Sequence, residues 1–437
     1  MNKLALLGGS PAVTIHKDFR WPIISEAEIQ AVADLLRSGA ISDAGYGDAT
    51  RRLEEDWAAY LGAEFALARV DGTAALHSAL FAAGVSAGDE VIVQSYNWIA
   101  TVGTILAANA VPVFADIDPL TLTLDPADVR RRITPRTRAI MVVHLWGHPA
   151  AMDELNALAR EHNLVVIEDA SHAHGGIYRG RKVGTLGDIG VFSLQASKAL
   201  PAGEGGLLVT HRREYFERAL LLAQSPGRLN LHLQMEEHRR FKNTGFGGFK
   251  YRINPINAVL ARQQMEHFEE RNEIRQRNLD VLTEGLREIN GIKPPYTAPD
   301  VTRGGYYGYP IEYNSEELDG LSKETFLAAL QAEGVEIAAE RYPLMHLEPM
   351  FAEQNPIGGG WPWSFNQATR QVRARAGDLP VTEKLHPRLL AIPSYNKAIP
   401  CEDLFAQYVQ AFRKVTQNIE QLRTWAAPNG HQRGEAE

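Results

Sequence analysis

Five short apolar runs, each separated from the next by residues at helical spacing, constrain this chain more than any other feature. They are FALARV (65–70), EVIVQS (90–95), PVFADI (112–117), AIMVVHL (139–145) and LVVIED (164–169). A strand that is apolar throughout is covered on both faces, and parallel strands are joined by helical crossovers. The pattern therefore predicts an α/β fold with a mainly parallel sheet between helices. Helices are expected over 26–38 and 48–61, stopped by Gly39 and Gly62, and over 71–84. Two more are expected, one running to Ala108 and one closing over 157–162.

After about residue 210 the rhythm changes. A long charge-rich helix is expected over 255–288, with room for a kink. Strand 306–313 and helix 323–330 predict a second, smaller α+β unit, closed by a helix near 402–424. The Gly-, Pro-, Trp- and Arg-rich stretch 352–380 reads as an irregular loop, and 427–437 as a disordered polar tail. The expected division is 1–275 for the large unit and 276–426 for the small one. A chain of 437 residues has room for both.

Composition excludes several function classes. Lys+Arg 45 against Asp+Glu 53 gives a net charge of −8, with no basic stripe for nucleic acid. The single cysteine, Cys401, rules out an intrachain disulfide and fits a reducing compartment. The N-terminal apolar run lacks the length and cleavage site of a secretion signal. No stretch reaches the ~20 apolar residues of a membrane helix. A cytoplasmic protein with no metal site is expected. No G-x-G-x-x-G follows the first strand, which argues against a nicotinamide enzyme.

Several residues then stand out by position. Asp169 ends strand VVIED, where ligands of parallel sheets bind. Taken alone it serves equally as a turn cap. Lys198 lies in VFSLQASKALPAGEGG (191–206), an apolar strand turning into a Gly-rich loop. A lysine in a dry site has a depressed pKa and a nucleophilic amine. Pyridoxal phosphate (PLP) requires such a lysine for its aldehyde and an acid for its ring nitrogen. Asp71-Gly72-Thr73-Ala74 joins a strand to a helix, and a helix N-terminus suits a phosphate as well as an ordinary cap. Ser193 could add a hydroxyl to that phosphate, and Trp98 an aromatic face to a flat ring. His172, three residues after Asp169, is placed to reach a ring hydroxyl.

EDASHAHG (168–175), Gly187-Asp188, FSLQASK (192–198) and AGEGG (202–206) closely resemble the DegT/DnrJ/EryC1/StrS aminotransferases. So do LALLGGSPAV (4–13), DGTAAL (71–76) and GFKYRINPINAVLARQQ (248–264), and the likeness spans nearly the whole chain. It implies a fold type I PLP enzyme with a seven-stranded large-domain sheet and a smaller C-terminal α+β domain. Position by position, it implies Lys198 as the Schiff-base lysine and proton shuttle. Asp169 would pair with the pyridine nitrogen and His172 would lie near the ring hydroxyl. Trp98 would stack on the ring, and Gly72, Thr73, Ala74 and Ser193 would hold the phosphate. The resemblance also implies a homodimer with shared active sites, in which Lys250 or Arg252 reaches the neighbour's phosphate. Many relatives carry Asn at position 250, and Pro201 stands where relatives have Thr.

The resemblance is strongest to L-glutamine:scyllo-inosose aminotransferases and 3-amino-5-hydroxybenzoate synthases. The implied reaction moves an amino group from glutamine or glutamate to a cyclic ketone, a ketocyclitol or ketosugar, in antibiotic biosynthesis. A PLP lyase or dehydratase of the aminohydroxybenzoate type is the alternative, and a non-catalytic binding protein is a further one. Lys198 argues against the sugar dehydratases, which carry His there. His346 is a candidate for the acceptor site. Arg370, Arg373 and Arg375 are candidates for an acceptor's phosphates, and read equally well as a solvated face.

Overall fold

The computed structural model describes residues 3–42, 45–246, 248–340, 342–353, 358–365 and 374–429. Its first strands are β1 (Phe65–Arg69), β2 (Glu90–Gln94), β3 (Val111–Ala115), β4 (Thr137–Val143) and β5 (Val165–Asp169). β6 (Ile177–Tyr178), β7 (Arg181–Lys182), β8 (Ile189–Ser193) and β9 (Gly206–Thr210) follow. The remainder are β10 (Ile292–Lys293), β11 (Val301–Thr302), β12 (Tyr309–Tyr313), β13 (Ala338–Ala339) and β14 (Leu389–Ile392).

Seven strands form the central sheet, in the order β1-β9-β8-β5-β4-β2-β3. From β3 to β8 every pairing is parallel, while β9 runs antiparallel between β8 and β1. This is the expected mainly parallel seven-stranded sheet. Alternation along each strand feeds two cores. Ala66, Ala68, Ile92, Ile140 and Val166 join one with Trp57 and Leu53. Leu67, Val91, Val93, Met141 and Ile167 join the other with Leu80 and Ile105.

Helix α1 (Glu26–Ser38) packs on helix Pro255–Met265, and α2 (Asp48–Leu61), α3 (Gly72–Ala82) and α4 (Ile99–Ala107) pack on this sheet. Ser25 and Glu28 close a capping box on α1. A second sheet, β10-β12-β14-β13, carries its own core with helices Lys323–Ala332 and Glu402–Thr416. Core membership changes along helix Phe268–Arg287. Phe268 belongs to the first core of the large sheet, and Leu279, Leu282 and Leu286 to that of the small one.

Three expectations shift. The helix expected over 255–288 is two, Pro255–Met265 and Phe268–Arg287, broken at His267 (φ −111°, ψ 3°). Strand 306–313 shortens to Tyr309–Tyr313, because Gly308 passes beneath Trp146. A Cβ there would lie 2.3 Å from the indole. Two helices, Glu402–Thr416 and Ile419–Asn429, replace the expected single one, so 427–429 of the supposed tail are helical. Parts of the 352–380 loop and residues 430–437 lie outside the described residues.

Glu168 fixes the end of β5. Its carboxylate is fully buried and accepts from the amides of Gly184 (2.8 Å), Leu186 (2.7 Å) and Gly187 (2.6 Å). His144 Nδ1 accepts from the Ala150 amide, so Nε2 carries the proton and donates to Glu168 at 2.8 Å. Strand alternation then turns the next residue, Asp169, toward the opposite face. Glu168→Ala strands these donors in the core and is expected to lower the unfolding free energy by about 3 kcal/mol or more. A fall in the urea midpoint at constant slope measures it.

Candidate active site

A cleft of about 610 Å³ opens at the carboxyl ends of the parallel strands. Val143 of β4, Asp169 of β5 and Ser193 of β8 line it from the sheet. Asp71, Gly72 and Thr73 line it from the turn after β1.

Two glycines bring these pieces together. A Cβ on Gly206 would lie 2.2 Å from the Asp71 carbonyl oxygen, and one on Gly72 would lie 2.9 Å from Ser193 Cβ. Only bare backbone permits the approach, which sets the start of α3 against the end of β8. Asp71 caps α3 by accepting from the Ala74 amide at 2.6 Å. The amides of Gly72 and Thr73, the first two of the helix, have no partner within it. They stand at the cleft beside Ser193 with the positive end of the helix dipole behind them.

Lys198 comes from the loop between β8 and β9. That loop is laced to itself by Leu194 N–H to Gly205 O (2.8 Å), Ala202 N–H to Leu194 O (2.7 Å) and Ala196 N–H to Gly203 O (2.9 Å). The lysine is 8 % exposed, and its Nζ lies 3.6 Å from the centre of the Tyr307 ring. Burial pulls the ammonium below its ordinary range, while Tyr307 and Asp169 act in the other direction. The result is an amine more often neutral than a surface lysine's.

Asp169 is held by its neighbours. Thr101 of α4 donates to it at 2.8 Å and the Ser171 amide at 3.1 Å. His172 stacks against both Trp146 (5.2 Å between ring centres, 24°) and Tyr307 (4.2 Å, 27°), which also stack on each other at 6.1 Å. Its Nδ1 is buried without a hydrogen-bond partner, an arrangement that calls for a ligand atom or a water. Burial, with Lys198 nearby, holds the ring well below its ordinary pKa, so it is neutral.

The structure thus brings Lys198, Asp169, His172, Gly72, Thr73, Trp98 and Ser193 into one cleft. Trp98 stands at its mouth, 53 % exposed, 5.6 Å from the Tyr342 ring. Ala74 is not on the cleft wall, since Asp71 uses its amide. Lys250 and Arg252 lie away from this chain's own cleft. His346 is fully buried outside it, bonded to Ser95 Oγ (2.6 Å) and Glu383 (3.1 Å). It is a core histidine. Arg375 lies outside the cleft too, while Arg370 and Arg373 fall outside the described residues.

Sequence reasoning missed Thr101, Ser171, Gln195, Glu204, Tyr307 and Tyr342, all on the cleft wall. Ser171 and Glu204 stood inside the EDASHAHG and AGEGG motifs and could have been proposed from them. Tyr307 and Tyr342 arrive from the distant small unit and carry no local signal.

The family model described as the DegT/DnrJ/EryC1/StrS aminotransferase family matches residues 22–402. The chain belongs to this family. Among similar family members is the L-glutamine:2-deoxy-scyllo-inosose aminotransferase of Streptoalloteichus tenebrarius. It is 37% identical over 407 residues, which cover 89% of this chain and 91% of the relative. The L-glutamine:scyllo-inosose aminotransferase of Streptomyces griseus is 34% identical over 440 residues, covering 97% of this chain and all of the relative. Among solved structures, the aminotransferase from Psychrobacter cryohalolentis superposes with a TM-score of 0.79 at 28% identity, over 92% of this chain and 99% of that one. A 3-amino-5-hydroxybenzoic acid synthase superposes with 0.77 at 27%, over 91% and 98%.

Burial also depresses His174 and His148 to about 3, with Lys198 and Arg303 respectively adding to it. In the unfolded chain each takes a proton near the ordinary value of ~6.5. Below that pH the unfolded state binds protons that the folded state refuses, so stability is full above pH ~6.5 and falls as the pH drops. Urea unfolding at a series of pH values is expected to show this decline. His174→Phe, packed against Trp57 and Phe192, is expected to make it shallower.

Proposed function

We propose that this protein is a PLP-dependent aminotransferase that moves an amino group from L-glutamine to a ketocyclitol in natural-product biosynthesis. The observation that carries the reading is the buried Lys198 amine, in one cleft with Asp169, His172 and the N-terminus of α3. The names of the inosose aminotransferases support the donor and the acceptor class. Among the described residues lining the cleft, Lys198 is the only cation, which suits a neutral polyol better than a nucleotide diphosphate.

The residues present fit PLP. Its phosphate suits the Gly72 and Thr73 amides and the Ser193 hydroxyl. Its ring nitrogen suits Asp169, its ring hydroxyl suits His172 on the cleft wall, and its ring face suits Trp98. When bound, the cofactor supplies an electron sink for the pair left when a substrate C–H bond breaks.

The chain supplies the rest. Lys198 Nζ anchors the cofactor and, once free, takes the proton from the donor's α-carbon, a task suited to an amine with a lowered pKa. Asp169, held in place by Thr101 and the Ser171 amide, would be the partner of the cofactor's ring nitrogen. The aromatic rings of Tyr307 and Tyr342 on the cleft wall, backed by Trp146, exclude water and strengthen these charge interactions.

The same reading keeps 1–275 as the cofactor-binding unit and 276–426 as the smaller one, in line with the change of core along Phe268–Arg287. It also takes two chains to share their sites. In support, Phe249 is 52 % exposed and Lys250 is exposed, although both sit in a motif segment. A cytoplasmic location accords with the absence, among the described residues, of a helix long and apolar enough to cross a membrane.

A visible absorption spectrum with PLP, before and after L-glutamine alone, tests the function. The expected result is a yellow lysine-bound band that glutamine bleaches. A band that persists with glutamine and glutamate turns the reading toward the lyase chemistry of the aminohydroxybenzoate type. Absence of any band overturns the assignment of Lys198. Lys198→Ala is expected to abolish the band and to lower turnover by at least ~10³, a loss typical of a nucleophile and base.

A further inference from the structure

The N-terminal segment, residues 3–25, is stitched across the whole molecule. Residues 5–19 are bound to the small unit. The Ala5 and Ala12 amides donate to the Glu333 carboxylate at 2.8 Å each. Lys17 reaches the Pro400 carbonyl (2.9 Å) and Asp403 (2.8 Å), and the Phe19 ring lies 3.6 Å from the buried Lys397 ammonium. The segment's C-terminal end is bound to the large unit. The Ile23 carbonyl accepts from Gln264 (3.0 Å) and Arg271 (3.3 Å), just before the Ser25 cap of α1.

Trp21 lies between these two moorings. Its indole N–H donates to the backbone carbonyl of Lys198 at 3.2 Å. The indole is itself held in place. The Arg275 guanidinium lies 4.5 Å from its ring centre and that of Arg271 lies 5.8 Å away. Arg275 is fixed in turn by the Tyr395 carbonyl (2.8 Å) and Asn272 (2.8 Å). On its other side, the Lys198 amide donates to Gln195 O at 2.8 Å. Lys198 is therefore pinned on its amide side by its own loop and on its carbonyl side by a residue far away in sequence.

We propose that Trp21 is a positioning residue for the reactive lysine, through which the N-terminal segment ties the aim of Lys198 to the small unit. The bond goes to the backbone of the residue whose amine must reach the cofactor and then the substrate carbon. It fixes the root of that side chain while leaving Nζ free. Tyr395 and Lys397 belong to the loop after β14, so the small sheet sets where Arg275 and Phe19 hold the strap. The functional consequence rests on the aminotransferase reading, whereas the mechanical link does not.

Trp21→Phe tests it, since phenylalanine keeps an aromatic face for Arg275 while it removes the N–H together with part of the indole's volume. The first readout is amide hydrogen exchange of the cofactor-free protein. The segment 194–203 is expected to exchange about fivefold faster in the variant, the size of one net hydrogen bond. Segments from β4 and β5 are expected to be unchanged. The second readout is kinetic. kcat is expected to fall by a similar factor, with the KM for glutamine unchanged. The pH midpoint of the lysine-bound absorption band is expected to shift.

Wild-type exchange over 194–203 overturns the proposal. Faster exchange throughout the chain overturns it as well, because it marks general loosening. A rise in KM with kcat unchanged overturns the positioning role. Altered exchange over 194–203 in a protein that gives no band with PLP upholds the link and sinks only the aminotransferase reading.

Discussion

The site depends on a gap too narrow for a methyl group. Where β9 begins, the backbone of Gly206 lies against the carbonyl of Asp71, and Gly72 lies against Ser193. Side chains at either position would push α3 away from the end of β8 and open the cleft along its floor. Close contact puts a helix N-terminus, a serine hydroxyl and the root of the lysine loop within one small volume. The partial positive charge of α3 and the carboxylate of Asp169 then lie on separate walls. A ligand with an anion at one end and a protonated nitrogen at the other is oriented before any side chain moves.

Much of this was legible from the sequence, for a physical reason. Strands buried on both faces must be apolar, so β1 to β5 announced themselves within a few residues of their true limits. Residues at strand ends inherit their direction from the strand, which is why Asp169 could be singled out at the end of β5 and, with Ser193, lies on the cleft wall. Ala74 shows the limit of that logic. Motif position suggests it for a phosphate, while an N-cap is a competition for a few amides, and in this structure the Ala74 amide donates to Asp71. His346 shows another. Its two partners, Ser95 and Glu383, come from distant parts of the chain and convert a candidate ligand into a buried structural group.

The unread half of the site is its aromatic wall, Tyr307 and Tyr342, with Trp146 packed behind them. Trp146 has a left-handed backbone (φ 53°, ψ 24°), uncommon for so large a side chain. Its carbonyl accepts from the buried Arg303 at 3.2 Å, and its indole donates to the Tyr96 hydroxyl at 3.1 Å. Held at both ends, the ring stacks on His172, Tyr307 and Tyr342. No periodicity encodes such a stack, since its members lie on four separate segments and meet only when the two units are joined. The strain at Trp146 is sustained by packing from both units, so the wall forms only when they come together.

β9, the one strand of the large sheet that opposes its neighbours, makes the segment holding Lys198 a hairpin loop and not a crossover. Crossover segments are long and can lengthen with little penalty, whereas a loop between two adjacent paired strands is closed at both ends by the ladder. The ladder registers Ser193 directly on Gly206, so residues 194–205 have a fixed span to fill. Within the hairpin, an inserted or deleted residue would turn the amine off its target. The stretch that carries the chemistry is thus also the one whose length can drift least.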